Sequence, residues 1–175
     1  GYHLLSSPDV ISEAEISSML KTQWAGKRIV YFDETDSTNN QAKVFGEKGD
    51  VHGTLFVADK QTAGKGRRGR GWDSPPGESI YMTLLLRPEI SPERAPMLTL
   101  VMGLSVAEAI REAAGIEAKI KWPNDIVVDK KKVCGILTEM EMGLETKEIQ
   151  YLVIGVGINV NNGLTGMQET GDWKQ

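Results

Sequence analysis

Residues 63–71 are almost wholly glycine, lysine and arginine, and the residues just after them decide what the chain cannot be. Gly64-Lys65-Gly66-Arg67-Arg68-Gly69 matches the dinucleotide-binding pattern G-x-G-x-x-G letter by letter. That fingerprint works only where it opens a helix whose N-terminus faces a pyrophosphate. Here Arg70-Gly71-Trp72-Asp73-Ser74-Pro75-Pro76-Gly77 comes next, and two prolines among glycines do not begin that helix. No Gly-Lys-Ser/Thr closes the loop, so it is not a Walker loop either. Lys65, Arg67, Arg68 and Arg70 on so permissive a backbone suit an anionic ligand that the loop wraps. The plain alternative is a solvated basic loop.

The flanking segments define the fold class. Ser12, with Glu15 three residues on, forms a capping box for a short amphipathic helix to about Trp24. Strands are expected over Arg28 to Phe32, Thr54 to Asp59, Ile80 to Leu86, Ala118 to Trp122, Ile126 to Val128, Val133 to Met142 and Gln150 to Asn159. A second helix follows Asn39 and ends near Gly46 or Gly49. Pro96 suits the first turn of a third, on which Met97, Leu100, Val101, Leu104 and Ile110 form one apolar stripe before Gly115. Asp129-Lys130-Lys131-Lys132 and Gly143-Leu144-Glu145-Thr146-Lys147 are hairpin connections, and the tail after Asn161 is polar and Gly-rich. Strands clustered as hairpins, interrupted by two or three helices, predict an α+β fold with a mixed, largely antiparallel sheet flanked by helices.

A chain of 175 residues is enough for one domain with a real core. The net charge of −4 argues against general nucleic-acid binding. No apolar run approaches the ~20 residues that span a bilayer. The start, Gly1-Tyr2-His3-Leu4-Leu5, lacks the charged and apolar regions of a signal peptide. Cys134, the single cysteine, excludes an intramolecular disulfide. Together these favour a cytoplasmic setting.

Several other segments carry candidate chemistry. In Asp36-Ser37-Thr38-Asn39-Asn40-Gln41, either Thr38 and Gln41 form a capping box, or the hydroxyls and amides face a pocket for a small neutral polar group such as a urea. In Lys121-Trp122-Pro123-Asn124-Asp125, Asn124 and Asp125 are turn residues, or else contact a phosphate, ribose or metal. Lys132 begins an apolar strand and projects either into water, like Lys130 and Lys131, or into a site. Gly155 and Gly157 recur at period two, which marks a bulge or the close approach of a ligand or another backbone. His3 and His52 have no metal-ligand spacing, His52 stands in a turn, and Cys134 lies in an apolar strand where a thiol is buried and inert.

In this order, the Ser37-Thr38-Asn39 segment, Gln61, the Arg/Gly loop, Lys-Trp-Pro-Asn-Asp, Lys132-Val133-Cys134-Gly135-Ile136 and Gly155-Val156-Gly157-Ile158-Asn159 resemble the central domain of the biotin protein ligases, from about Ile29 to Asn161. The resemblance implies a fold shared with lipoate ligases and class II aminoacyl-tRNA synthetases. It implies biotin as substrate, ATP with Mg2+ as activator, and the biotin carboxyl carrier domain of acetyl-CoA carboxylase or a related carboxylase as acceptor, with room left for a homodimer. By matching position, Ser37, Thr38, Asn39, Gln61, Lys65, Gly66, Arg67, Lys132, Gly135 and Gly157 would bind biotin. Arg67, Arg70, Trp72, Asn124, Lys132 and Asn159 would bind ATP and the adenylate. Lys132 and Arg67 would carry the chemistry, and Asp125 would assist Mg2+. Lys65 stands where the family usually has arginine, which removes a bidentate fork. The implied division is a lead-in segment and short helix over 1–27 and the ligase catalytic domain over 28–175. The winged-helix and SH3-like domains of the family are absent from the sequence, so neither DNA nor a membrane is an expected partner. The nearest rivals are a lipoate-protein ligase and a biotin-sensing repressor core without catalysis of its own.

Overall fold

Strand parity sets the layout. The structure, a computed structural model, describes residues 11–161. The expected lead-in Gly1–Leu5, His3 included, and nearly all of the polar tail lie outside the described residues. The elements that position the site are α1 (Glu13–Met19), β1 (Ile29–Thr35), α2 (Thr38–Glu47), β2 (Leu55–Gln61), β3 (Ser79–Leu86), α3 (Ala95–Ala114), β4 (Lys119–Lys121), β5 (Asp125–Val128), β6 (Lys131–Met142) and β7 (Ile149–Asn159). The seven strands form one sheet in the order β1-β2-β3-β7-β6-β5-β4. Only β1 and β2 pair in parallel, across the α2 crossover; the other neighbours are antiparallel. This is the expected α+β architecture.

Because side chains alternate along a strand, each face of the sheet has its own core. Phe56, Leu85, Tyr151 and Val153 pack with Ala42 of α2 on one face. Ile126, Cys134, Ile136, Leu152, Ile154 and Val156 pack with Ala95, Val106 and Ala107 of α3 on the other. By the same alternation, Gly155 and Gly157 of β7 and Gly135, Leu137 and Glu139 of β6 fall on the α2 face. Three missing side chains there leave room above the sheet.

Two expectations about helices are corrected. α1 stops at Met19 rather than near Trp24, with Leu20 already extended and Thr22 donating to the Ala25 carbonyl in a turn. The N-cap half of the capping box at its start is present: Ser12 Oγ accepts from Glu15 N at 3.2 Å. In α3 the expected stripe is not the buried one, since Met97, Leu100, Val101 and Leu104 are 61%, 40%, 57% and 48% exposed. The helix is apolar almost all round, so helical spacing fits more than one stripe. The sheet takes the side with small residues, where a Cβ at Gly103 would already stand 3.7 Å from Ile136. Leu98, Met102 and Ile110 border that contact.

Candidate active site

The glycines on the α2 face are the floor of the site. A Cβ at Gly157 would stand 2.6 Å from the Trp72 indole, one at Gly135 2.8 Å from the same ring, and one at Gly155 2.1 Å from Asn39 Oδ1. Real Cβ atoms do not come that close, so Trp72 and Asn39 can seat themselves only because these positions carry no side chain. The β3–β7 and β6–β7 registers run without a shift through both β7 glycines, which rules out a bulge there. The period-two glycines therefore serve close approach.

Trp72 is delivered by the Arg/Gly loop, which folds back on itself. Lys65 and Gly71 form an antiparallel bridge, Gly66 N donates to Arg70 O at 2.7 Å, and Trp72 N donates to Gly64 O at 2.9 Å. Gly64 is required by this crossing, since a Cβ there would lie 2.3 Å from the Trp72 carbonyl oxygen. Arg67–Gly69 forms a short 3-10 turn at the tip, with Arg68 at φ 59°. The Arg67 guanidinium donates to Asn124 Oδ1 at 2.9 Å, and Asn124 Nδ2 donates to Ile136 O at 3.0 Å. Asn124 thus holds Arg67 over the sheet with its own side chain. The Lys65 ammonium donates to Asn40 Oδ1 at 2.9 Å.

The opposite wall is the start of α2. The expected Thr38/Gln41 capping box does not form: the N-cap is Ser37, without a side-chain cap bond, and Gln41 Nε2 donates to Asp36 instead. The first helical N–H, that of Thr38, is satisfied from β2 by Gln61 Oε1 at 2.9 Å. Gln61 Nε2 donates in turn to Ser74 Oγ at 2.9 Å. Burial would raise the Asp36 carboxyl, but bonds from Asn40, Gln41, the Ser37 N–H and Thr35 hold it down to about 2. Ser37, Thr38 and Asn39 are all buried.

Every residue that the resemblance assigns to the site lines one of two adjoining cavities. A narrow one, with about 50 Å³ of water-accessible space, is lined by Ser37, Thr38, Asn39, Gln61, Lys65, Gly66, Arg67, Trp72, Asn124, Lys132, Gly135 and Gly157, with Gly155 besides. A wide one, about 540 Å³, adds Arg68, Arg70, Asp73, Asp125 and Asn159. Arg67, Trp72, Asn124 and Lys132 belong to both. Lys130 and Lys131 are exposed, whereas Lys132 turns inward. Its Nζ is 2.8 Å from Asp125 Oδ1 and 5.2 Å from the centre of the Trp72 ring. Asp125 Oδ1 is buried with no aligned hydrogen bond, so charge rather than a directed bond holds this pair. The buried Trp72 Nε1 likewise has no hydrogen-bond partner.

Sequence reasoning missed Thr83, Glu139 and Ser74, which bond to residues it found: Thr83 to Thr38 and Asn39, Glu139 to Asn39, and Ser74 to Gln61. For Glu139 the signal was available, because 135, 137 and 139 share one strand face. His52 Nδ1 accepts from Arg87 N at 3.0 Å and its ring packs on Trp24. Burial pushes the Cys134 thiol up to about 12, with Lys132 lowering and Asp125 raising it. Among the described residues no group of three or more His, Cys, Asp or Glu is arranged to hold a metal.

Comparison with known proteins gives a consistent result. Residues 31–159 match the model of the biotin/lipoate A/B protein ligase family. The chain is 46% identical over 161 residues to the bifunctional ligase/repressor BirA of Bacillus subtilis, covering 92% of this chain and 49% of that protein. It is 34% identical to the human biotin–protein ligase over 152 residues, 82% of this chain and 20% of that one. The chain spans about half the length of the Bacillus and Escherichia coli relatives it matches. Among solved structures, Aquifex aeolicus biotin protein ligase in complex with biotin and ATP aligns with a TM-score of 0.64 at 40% identity, covering 78% of this chain and 53% of that one. The Leishmania major enzyme in complex with biotinyl-5-AMP aligns with a TM-score of 0.65 at 30% identity, covering 79% and 60%.

Proposed function

The chain belongs to the biotin/lipoate A/B protein ligase family, and from that membership we propose that it activates biotin with ATP as biotinyl-5′-adenylate and transfers the biotinyl group to a lysine of a biotin carboxyl carrier domain. The observation that carries this is the position of Lys132, on the wall shared by a narrow cavity, whose side formed by Ser37, Thr38, Asn39 and Gln61 is neutral and polar, and a wide cationic one. Biotin's ureido ring fits among Ser37, Thr38, Asn39 and Gln61. Its carboxylate then points toward Lys132, and ATP occupies the wide cavity among Arg67, Arg68, Arg70 and Asn159, with Trp72 between the two.

A carboxylate must attack the α-phosphate of ATP, and both are anions. At 4 Å like unit charges repel by roughly 4 kcal/mol with an effective dielectric of 20. A lysine ammonium has three donors. Asp125 engages one side of Lys132, leaving the others for the carboxylate and phosphate oxygens. Charge placed where it develops lowers the barrier. The carrier lysine then attacks the acyl carbon and displaces AMP. The mixed anhydride hydrolyses readily, so the site must exclude water, a task that falls to the loop hairpin, with Arg67 pinned by Asn124.

Mg2+ fits as a companion of ATP rather than as an ion the protein holds alone: the carboxylates on the wide cavity are Asp73 and Asp125, and the latter is paired with Lys132. Such an ion would be held mainly by phosphates and water beside these residues, and the chemistry it would supply is neutralisation of pyrophosphate charge. We place the reaction in the cytoplasm, where carrier, ATP and biotin meet; none of the described helices is long and apolar enough to cross a membrane. Calorimetry tests the proposal: biotin should bind without ATP and raise the melting temperature by mass action, and lipoate should do neither. No biotin-dependent shift at millimolar ligand would overturn it.

A further inference from the structure

The Arg/Gly loop is fastened at two places, and in both a cation donates to the oxygen of an asparagine amide. At its tip Arg67 donates to Asn124 Oδ1. At the base of the hairpin Lys65 Nζ donates to Asn40 Oδ1, on α2, at 2.9 Å. The other end of each amide is committed to a fixed acceptor. Asn124 Nδ2 donates to the Ile136 carbonyl at 3.0 Å, and Asn40 Nδ2 donates to Asp36 Oδ2 at 2.5 Å.

The chemistry of the two ends fixes the direction of the second fastening. An ammonium only donates and a carboxylate only accepts, so the Asn40 amide between them turns its NH₂ to Asp36 and its oxygen to Lys65. Asp36 is ionised at neutral pH, since its carboxyl is held down to about 2. Its Oδ1 takes Gln41 Nε2 at 2.9 Å and the Thr35 hydroxyl at 3.2 Å, while Oδ2 takes Asn40. Asparagine suits position 40 because it donates to a carboxylate and accepts from a cation at once. A carboxylate there would stand against Asp36, and an alkyl group would hold neither neighbour.

We propose that Asp36 and Asn40 are positioning residues for the Arg/Gly loop: Asp36 aims the Asn40 amide so that it latches Lys65, and the latch sets how long a bound molecule is retained. This rests on the biotin reading only for the identity of that molecule. Lys65 and Gly71 pair across the hairpin, so holding Lys65 holds the strand that delivers Trp72. Lys65 and Trp72 line the same narrow cavity. Lys65 is exposed, and a single bond of this kind is modest, which suits a latch that opens at each turnover.

Asp36→Asn reverses the aim with little change of shape. Gln41 and Thr35 still donate to the position of Oδ1, so the new amide keeps its oxygen there and turns its NH₂ toward Asn40. Asn40 then faces it with its own oxygen, which brings the Asn40 NH₂ round to Lys65. Two donors do not bond, and the Lys65 ammonium is released into solvent.

The test is a double-mutant cycle on the full chain, unsubstituted and as Asp36→Asn, Lys65→Met and the double variant, each with its melting temperature. Without ligand, the latch is read by hydrogen exchange at the Gly66 and Trp72 amides, which bond within the hairpin. Asp36→Asn should speed that exchange about three- to tenfold when Lys65 is present, and less than about twofold when Lys65 is already Met. Biotin release, chased with excess unlabelled biotin, should follow the same pattern. A merely structural Asp36 would lower the melting temperature and act equally in both backgrounds. That result, or unchanged exchange with Lys65 present, would overturn the proposal, as would release rates that do not follow the exchange. Should Asp36→Asn fail to fold, Asn40→Ala, at a helical position that favours alanine, carries the same cycle with the same expectations. Absence of biotin binding by the unsubstituted chain would instead sink the biotin reading, with the exchange cycle still deciding the latch.

Discussion

Removing the Lys132 side chain as Lys132→Ala separates the chemistry from the binding. Its Nζ stands at the wall shared by both cavities, 2.8 Å from Asp125. The ground-state ligand there is a carboxylate with water still available, whereas α-phosphate attack brings two anions together. The ammonium therefore contributes more in the transition state than in the biotin complex. By analogy with deleted oxyanion-hole donors, the loss should be about 2.7–4 kcal/mol, or ~10²–10³ in rate. Biotin affinity should fall by no more than about tenfold, since the ureido contacts lie elsewhere. The variant leaves Asp125 without its partner. The pair is 23% and 22% exposed, so we place the stability cost at about 1–2 kcal/mol, between exposed and buried pairs, and the assay is run well below the melting point. Single-turnover pyrophosphate release, with biotin affinity measured alongside, reads both quantities. Lys131→Ala, an exposed neighbour in the same hairpin, should change the rate by less than about twofold. Equal rates for the two variants, or a rate loss fully explained by weaker biotin binding, would refute the placement.

Three further outcomes are expected of the site. Arg67→Gly should let the adenylate escape faster while leaving its formation possible, and Asn124→Ala should do the same more weakly by freeing Arg67; release is read by chasing preformed intermediate with excess unlabelled biotin. Gly157→Ala should cost about 1–3 kcal/mol in denaturant unfolding and displace the Trp72 ring, which tryptophan fluorescence will report, because its Cβ would stand 2.6 Å from the indole; an unchanged spectrum would contradict that packing. Asp36, held down to about 2 from 3.8, contributes stability that is complete above about pH 4 and disappears as pH falls through about 2. Asp36→Asn should thus be less stable than the parent at pH 6, and the gap should close between about pH 4 and 2; a gap independent of pH would contradict the hydrogen-bond account.

The parts of the fold legible in the sequence were those governed by local chemistry. Strand runs were visible as apolar stretches ended by turn residues, so all seven strands appear within a few residues of their expected bounds. The proline and glycine that bracket α3 act on their own backbone, and Gly115 indeed takes φ 68° at the helix end. What stayed hidden depends on partners distant in the chain. The insertion of β7 between β3 and β6 is a choice among long-range pairings that strand composition does not encode. The face that α3 buries was misjudged because packing selected close approach at Gly103 over the larger side chains. Thr38 and Gln41 carry the letters of a capping box, yet Gln61, from another strand, accepts both the Thr38 N–H and the Thr38 hydroxyl. The Arg/Gly loop, the Lys132 strand and the period-two glycines were legible because each breaks a local rule: charge beside an apolar run, or glycine inside a strand. Glu139 and Thr83 break none, and their bonds to Asn39 and Thr38 emerge only in the fold.

The most direct measurement of the central claim is isotope exchange between pyrophosphate and ATP, which detects reversible adenylate formation without any carrier protein. The account predicts exchange that requires both the chain and biotin, is not supported by lipoate, and falls about 10²–10³-fold with Lys132→Ala. Exchange that proceeds equally without biotin, or that lipoate supports and biotin does not, would contradict it.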